Sequence, residues 1–105
     1  MIKHTMLVAF TDSIDDNDLD RYLADIEGAM SATGVVRDFS SARHIAVPGE
    51  SAIPAFIATA VLEFAVESRG DLATLFAAPG AGEVIHKWQA TNPYKVAWVN
   101  HEVHA

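Results

Sequence analysis

Ile2-Lys3-His4-Thr5-Met6-Leu7-Val8-Ala9-Phe10 places Ile2, His4, Met6, Val8 and Phe10 on one side and Lys3, Thr5, Leu7 and Ala9 on the other. Period-two alternation in a largely apolar run predicts a strand covered on both faces. The pattern returns in Ala55–Val66, where Phe56, Ala58, Ala60, Leu62 and Phe64 share a side. Ile57, Thr59, Val61, Glu63 and Ala65 lie opposite them. Tyr94–His101 alternates again, with Val96, Trp98 and Asn100 together, and Val35–Val47 is a less regular fourth strand rich in β-branched and small residues.

Two helical stretches separate these strands. Asp12-Ser13-Ile14-Asp15-Asp16-Asn17-Asp18 supplies a turn and a helix start. Ser13 or Asp15 is placed to cap orphan amides, and the acids suit the positive end of the helix dipole. Leu19, Tyr22, Leu23, Ile26 and Met30 then form one apolar stripe at helical spacing, with Gly34 where a C-terminal cap belongs. Pro48–Pro54 reads as a loop. Ser68-Arg69-Gly70-Asp71 opens a short helix with Leu72, Leu75 and Phe76 inward. Pro79-Gly80-Ala81-Gly82 reads as a break, Glu83–Ala90 as a second segment with Val84, Ile85 and Trp88 inward, and Asn92-Pro93 as a turn.

The order β-α-β-β-α-β is the α+β, ferredoxin-like sandwich, in which helices cover one face of an antiparallel four-stranded sheet. The helix-free face is expected to carry Met6, Val8, Phe56, Leu62, Phe64, Val96 and Trp98. Such a face is too apolar to leave wet, and a second copy of the chain is the simplest cover.

Bulk properties agree with one small globular unit. The 105 residues form a single domain, 1–105; half are apolar and 20% are charged. The net charge of −7 opposes nucleic-acid binding, which needs Lys and Arg against phosphate, and disfavours anionic membranes. Cysteine is absent, which excludes disulfides and thiol chemistry. The chain begins on a strand pattern with no secretory-type leader, so a cytoplasmic location is expected.

Met1–Phe10 with Asp12 just after resembles the first strand of the stress-responsive A/B barrel (Dabb) family. Leu62-Glu63-Phe64, Ser68, Asp71-Leu72 and Ala78-Pro79 resemble its third strand and helical region, so the likeness spans nearly the whole chain. The resemblance implies a homodimer whose two sheets face each other as an α+β barrel, with a cleft in each protomer between sheet and helices. It also implies a test of chemistry, because a polyketide cyclase of that family uses a His-Pro-x-His motif, a supporting Tyr and an Asp on the last strand. Those positions fall here on Ala78-Pro79-Gly80-Ala81, Leu75 and Asn100. An alanine abstracts no proton, so Ala81 excludes the cyclase mechanism. The family's first-strand His survives as His4, and Tyr22, Leu23 and Ile26 keep the cleft-lining helix positions bulky and apolar.

The expected ligand contacts are therefore His4, Tyr22, Leu23, Ile26, Trp98 and Asn100, with His4 the one candidate for proton transfer. A structural His paired with Asn100 is the simpler role for that side chain. His86 is weighed as a haem ligand, as in haem-degrading relatives of the wider barrel superfamily, and set aside. The strand Trp and N-terminal Asn of those enzymes have no counterpart, and Phe64 ends the third strand. His101 and His104 are too few and too poorly placed for zinc, which wants three or four ligands on rigid elements. His44 beside Arg43 reads as an exposed edge, and the acids at 15, 16, 18 and 20 as a solvated helix start. Trp88, Trp98, Tyr22 and Tyr94 read first as core and interface residues, with the lining of a pocket for an aromatic ligand as the alternative. No cofactor and no metal are expected. Functionally, the expectation is a homodimer holding a small apolar or aromatic metabolite, with weak catalysis at most. The alternatives are a non-catalytic, stress-associated structural dimer, or a lyase, isomerase or monooxygenase of the same superfamily.

Overall fold

The alternation of Ile2–Phe10 becomes β1, the strand on which the rest of the fold is hung. The computed structural model describes residues 1–103. After β1 come α1 (Asp16–Ser31), β2 (Asp38–Arg43), β3 (Ala60–Val66), α2 (Arg69–Phe76), α3 (Pro79–Thr91) and β4 (Tyr94–Glu102). The sheet is antiparallel throughout, with strand order β2-β3-β1-β4, and three helices lie on one face. The expected α+β, ferredoxin-like order holds.

The register places His4 between Phe64 and Asn100, Met6 between Leu62 and Trp98, and Val8 between Ala60 and Val96. Residues directly opposite share a face. Met6, Val8, Leu62 and Phe64 are fully packed beneath the helices, with Leu19, Tyr22, Ile26 and Leu75. The expectation that this set forms the helix-free face is therefore inverted. Alternation fixes which residues travel together and leaves open which side the helices take. Val96 and Trp98 share the helix side but sit on the edge strand β4, where cover is incomplete.

The open face carries Lys3, Thr5, Leu7 and Ala9 with their neighbours on β3 and β4, and it is mixed in character. Lys3 pairs with Glu63 at 3.6 Å, Thr5 and His101 hydrogen-bond at 3.0 Å, and Leu7 and Val99 are exposed.

Three further boundaries differ from the sequence reading. The third strand begins at Ala60, not Ala55, and the second is confined to Asp38–Arg43. Residues 44–59 between them form an arm with a 3-10 turn at Glu50–Ala52, entered through Gly49 at φ 83°. Phe56 lies on this arm and is exposed. Finally, Pro79 opens α3 instead of breaking it. Proline suits the first helical turn because its missing N–H would be unpaired there anyway. The break falls at Ala77–Ala78, so Ala81 and Gly82 are inside the helix.

Local caps and a few polar ties fix the helices. The Asp15 carboxylate accepts from the Asp18 amide at 2.7 Å, and Ser68 Oγ accepts from the Asp71 amide at 3.1 Å. Trp88 Nε1 donates to Asp25 at 2.9 Å, joining α3 to α1. Arg43 ties the end of β2 to Asp16 and Asp20 of α1.

Candidate functional site

Between α2–α3 and the β1–β4 half of the sheet lies a cavity of about 430 Å³. Its floor is His4 and Met6 of β1 with Tyr94, Val96 and Trp98 of β4. The roof is Leu75, Phe76, Ala77, Ala78, Ala81, Gly82 and Ile85, and Met30 of α1 closes one side. Small residues at 77, 78, 81 and 82 keep the helices from filling this space. No Asp, Glu, Lys or Arg lines it. A shallower hollow of about 390 Å³ lies on the open side between the arm and the sheet, lined by Leu7, Phe56, Ile57 and Val61 among others, and it contains no buried polar group.

Among the described residues His4 is the one buried polar or charged side chain, 4% exposed. Its Nδ1–H donates to Asn100 Oδ1 at 2.8 Å. A carbonyl oxygen only accepts, so this bond fixes the proton on Nδ1 and leaves a lone pair on Nε2. Nε2 makes no hydrogen bond among the described residues. Burial pushes the imidazole below its ordinary pKa, opposed by the Asn100 bond, so the ring is neutral at neutral pH. Aromatic rings surround it: Phe76 at 5.0 Å, Trp98 at 5.6 Å and Phe64 at 6.2 Å between centroids. Phe76 and Trp98 meet each other edge to face at 5.1 Å. Phe76, expected inward, is half exposed, and with Trp98, Val96 and Ile85 it forms the cavity mouth.

The far end is closed by Tyr94, whose hydroxyl is buried without a hydrogen-bond partner, as is that of Tyr22. Their rings pack edge to face at 5.1 Å, and burial raises both phenols above their ordinary pKa.

Of the expected ligand contacts, His4 and Trp98 line the cavity and Asn100 supports His4 from the neighbouring strand. Tyr22, Leu23 and Ile26 do not reach it; they are core residues beneath α1, each under 9% exposed. One apolar stripe serves equally as core or as cleft wall, and the sequence holds no feature that separates the two. The positions matched to cyclase chemistry do converge: Leu75, Ala78 and Ala81 all face the cavity, beside His4. Met30 and Ile85 also line the cavity without any signal in their apolar character, and Tyr94, weighed first as a core residue, lines it as well.

The other histidines lie elsewhere. His86 is exposed on α3, His101 bonds Thr5 on the open face, and His44 pairs with Glu50 at 2.7 Å. His104 lies outside the described residues. Among the described residues no three potential ligands cluster as a metal site. No helix among them is long and apolar enough to cross a membrane.

No protein-family profile matches this chain, and no curated relative does. Solved structures match along its whole length. An Arabidopsis thaliana protein superposes with a TM-score of 0.79 at 15% identity, covering 100% of this chain and 97% of its own. A Dabb family protein with a ferredoxin-like fold from Mesorhizobium loti gives 0.72 at 15%, covering 99% and 97%. The fold is the ferredoxin-like one of that Dabb family protein. Hydroxynitrile lyase from Passiflora edulis superposes with a TM-score of 0.74 at 14% identity, covering 98% and 93%. Two more similar structures, from Thermobifida fusca and Bacteroides fragilis, are of dimeric proteins. At these identities the likeness carries the fold, and the chemistry rests on this chain's own residues.

Proposed function

We propose that this chain forms a homodimer through its open sheet faces. In each protomer the cavity beneath α2–α3 binds a small, uncharged, apolar or aromatic molecule bearing one hydrogen-bond donor. The observation that carries this reading is a wall without charge in which His4 Nε2, the acceptor held in place by Asn100, is left without a partner at the end opposite Tyr94. An apolar pocket with one or two convergent polar groups is the usual form of a small-molecule site, and about 430 Å³ falls in the ordinary size range. Trp98 and Phe76 supply faces for an aromatic ring. The pairing rests on the exposed Leu7 and Val99 of the open face and on the dimeric state of the Thermobifida fusca and Bacteroides fragilis neighbours.

A second reading makes the same histidine a weak base. A neutral imidazole held in one tautomer by Asn100 is the form that accepts a proton, and one structural neighbour is a lyase.

The test of ligand binding compares 1-naphthol with naphthalene, followed by tryptophan fluorescence and calorimetry. The wild-type protein should bind 1-naphthol roughly tenfold more tightly, the worth of one well-made buried hydrogen bond. His4→Phe should erase the difference. Equal affinities in the wild type, or no binding of either, would overturn the reading.

A further inference from the structure

Two apolar patches remain outside the core and outside the open sheet face. One is on the arm, where Ile45, Val47 and Ile53 are 83%, 57% and 62% exposed. The other is the cavity mouth, where Phe76, Ile85, Val96 and Trp98 are 39–55% exposed. A fully exposed large apolar side chain presents roughly 150–250 Å². The two patches are therefore matched in size, on the order of 350 Å² each. Face-to-face packing of the open sheets would cover Leu7, Val99, Phe56 and Ile57, on the order of 400 Å² per protomer on the same basis. Each alone is within the roughly 300–600 Å² that a typical monomer leaves in its largest patch, and the three together come to about 1,100 Å². They fit the roughly 800 Å² per partner of a stable interface.

Topology keeps the two leftover patches apart within one protomer. The arm leaves the sheet at β2 and the mouth sits on β4, and these are opposite edges of the order β2-β3-β1-β4. A two-fold axis running along the strands between two open faces changes this. It sets each β2 edge against the partner's β4 edge, and a two-fold interface repeats the contact on both sides. The strand directions are compatible. β2 is antiparallel to β3, and β3 and β4 are both antiparallel to β1, so β2 and the partner's β4 meet antiparallel.

We infer that the arm of each protomer folds over the partner's cavity mouth, so that Ile45, Val47 and Ile53 cover Trp98, Val96 and Phe76 and the binding site is complete only in the dimer. This inference rests on the proposed pairing and adds a composite site to it. It gives the exposed Ile45, Val47 and Ile53 of the arm a task. It also gives the mouth a lid drawn from the same chain chemistry as the cavity wall. The occupant at the β4 edge protects an otherwise unpaired strand edge as well.

The chain contains no cysteine, which makes an introduced pair clean to read. In the double variant Ile53→Cys/Val96→Cys, mild oxidation should yield a covalent dimer on a non-reducing gel, while each single variant stays monomeric on the gel. Independently, Ile53→Asp should red-shift the emission of Trp98 and weaken 1-naphthol binding about tenfold. Ile53 is exposed, so its own protomer folds unchanged; Trp88 is buried and does not report. Native mass spectrometry of the unmodified protein separates the two ideas. A dimer with no cross-link, and with emission and binding untouched by Ile53→Asp, overturns the arm closure and leaves the pairing intact. A monomer at every concentration overturns both.

Discussion

His4 and Asn100 face each other in register across β1 and β4, and the 2.8 Å bond from Nδ1–H to Oδ1 decides which imidazole nitrogen keeps its lone pair. Because burial holds the His4 pKa below its unfolded value of 6.5, the folded state resists protonation there. The unfolded chain binds the extra proton first, so this group's contribution is fully present above pH 6.5 and is lost as pH falls through the folded pKa.

The melting temperature of the wild type should therefore drop on acidification below pH 6.5. His4→Gln should flatten that part of the profile. A wild-type curve that is level between pH 6.5 and 5, or a variant that keeps the slope, would show that His4 is not its source.

Asn100→Asp should reverse the sign. A carboxylate at hydrogen-bond distance favours the imidazolium and lifts the His4 pKa above 6.5. Its stabilisation is then present below pH 6.5 and is lost as pH rises through the new value. The same variant converts Nε2 from acceptor to donor, so 1-naphthol should lose its advantage over naphthalene near neutral pH. NMR titration of the His4 ring measures the shift directly.

Ala81→Phe should abolish 1-naphthol binding with little loss of stability. Ala81 faces the cavity from α3, and the added ring has about 430 Å³ to enter. Isothermal calorimetry and a thermal melt check the two halves. A large fall in melting temperature with binding retained would mean that the space is not there.

Two glycines should respond oppositely to alanine. Gly28 lies inside α1 with nothing within 4 Å of an added Cβ, so Gly28→Ala should stabilise by about 0.5–1 kcal/mol through helix propensity and chain entropy. Gly34 is equally open but sits at φ 78°, so Gly34→Ala should destabilise by about 1 kcal/mol. Urea denaturation resolves both.

Asp25→Ala should destabilise by about 1 kcal/mol, because it strips the acceptor from the buried Trp88 indole and loosens α1 from α3. The Trp88 bond also draws the Asp25 carboxyl below its ordinary pKa, so this contribution is present above pH 3.8 and is lost on further acidification. Wild type and variant should converge in stability in strong acid.

Much of the fold was legible because alternation and helical spacing are local. The β1 pattern, the α1 stripe from Leu19 to Met30, the helix start at Ser68 and the pairing of His4 with Asn100 all appear as read, and of the two cap candidates Ser13 and Asp15 it is Asp15 that caps α1. The assignment of the helix side was not legible, since both faces of β1 are apolar enough to be buried. Phe56 continued the alternation of the third strand beyond its real start, because periodicity does not register where hydrogen-bonded pairing ends. Pro79 was taken for a stop although proline starts helices as readily as it ends them. The cavity itself was only half visible. His4 and Trp98 stood out as unlike their neighbours, whereas Tyr22, Leu23 and Ile26 have the same chemistry as the true wall and lie one layer too deep.

The charge-free wall has a further consequence for whatever enters it. A phenol leaving water for this site meets no cation to stabilise its anion, while His4 Nε2 offers to receive its hydrogen. A phenol bound as proposed would be held in the acid form, with its own tendency to ionise lowered. With 4-nitrophenol the effect would be seen by eye: the yellow of the phenolate would fade as protein is added at constant pH.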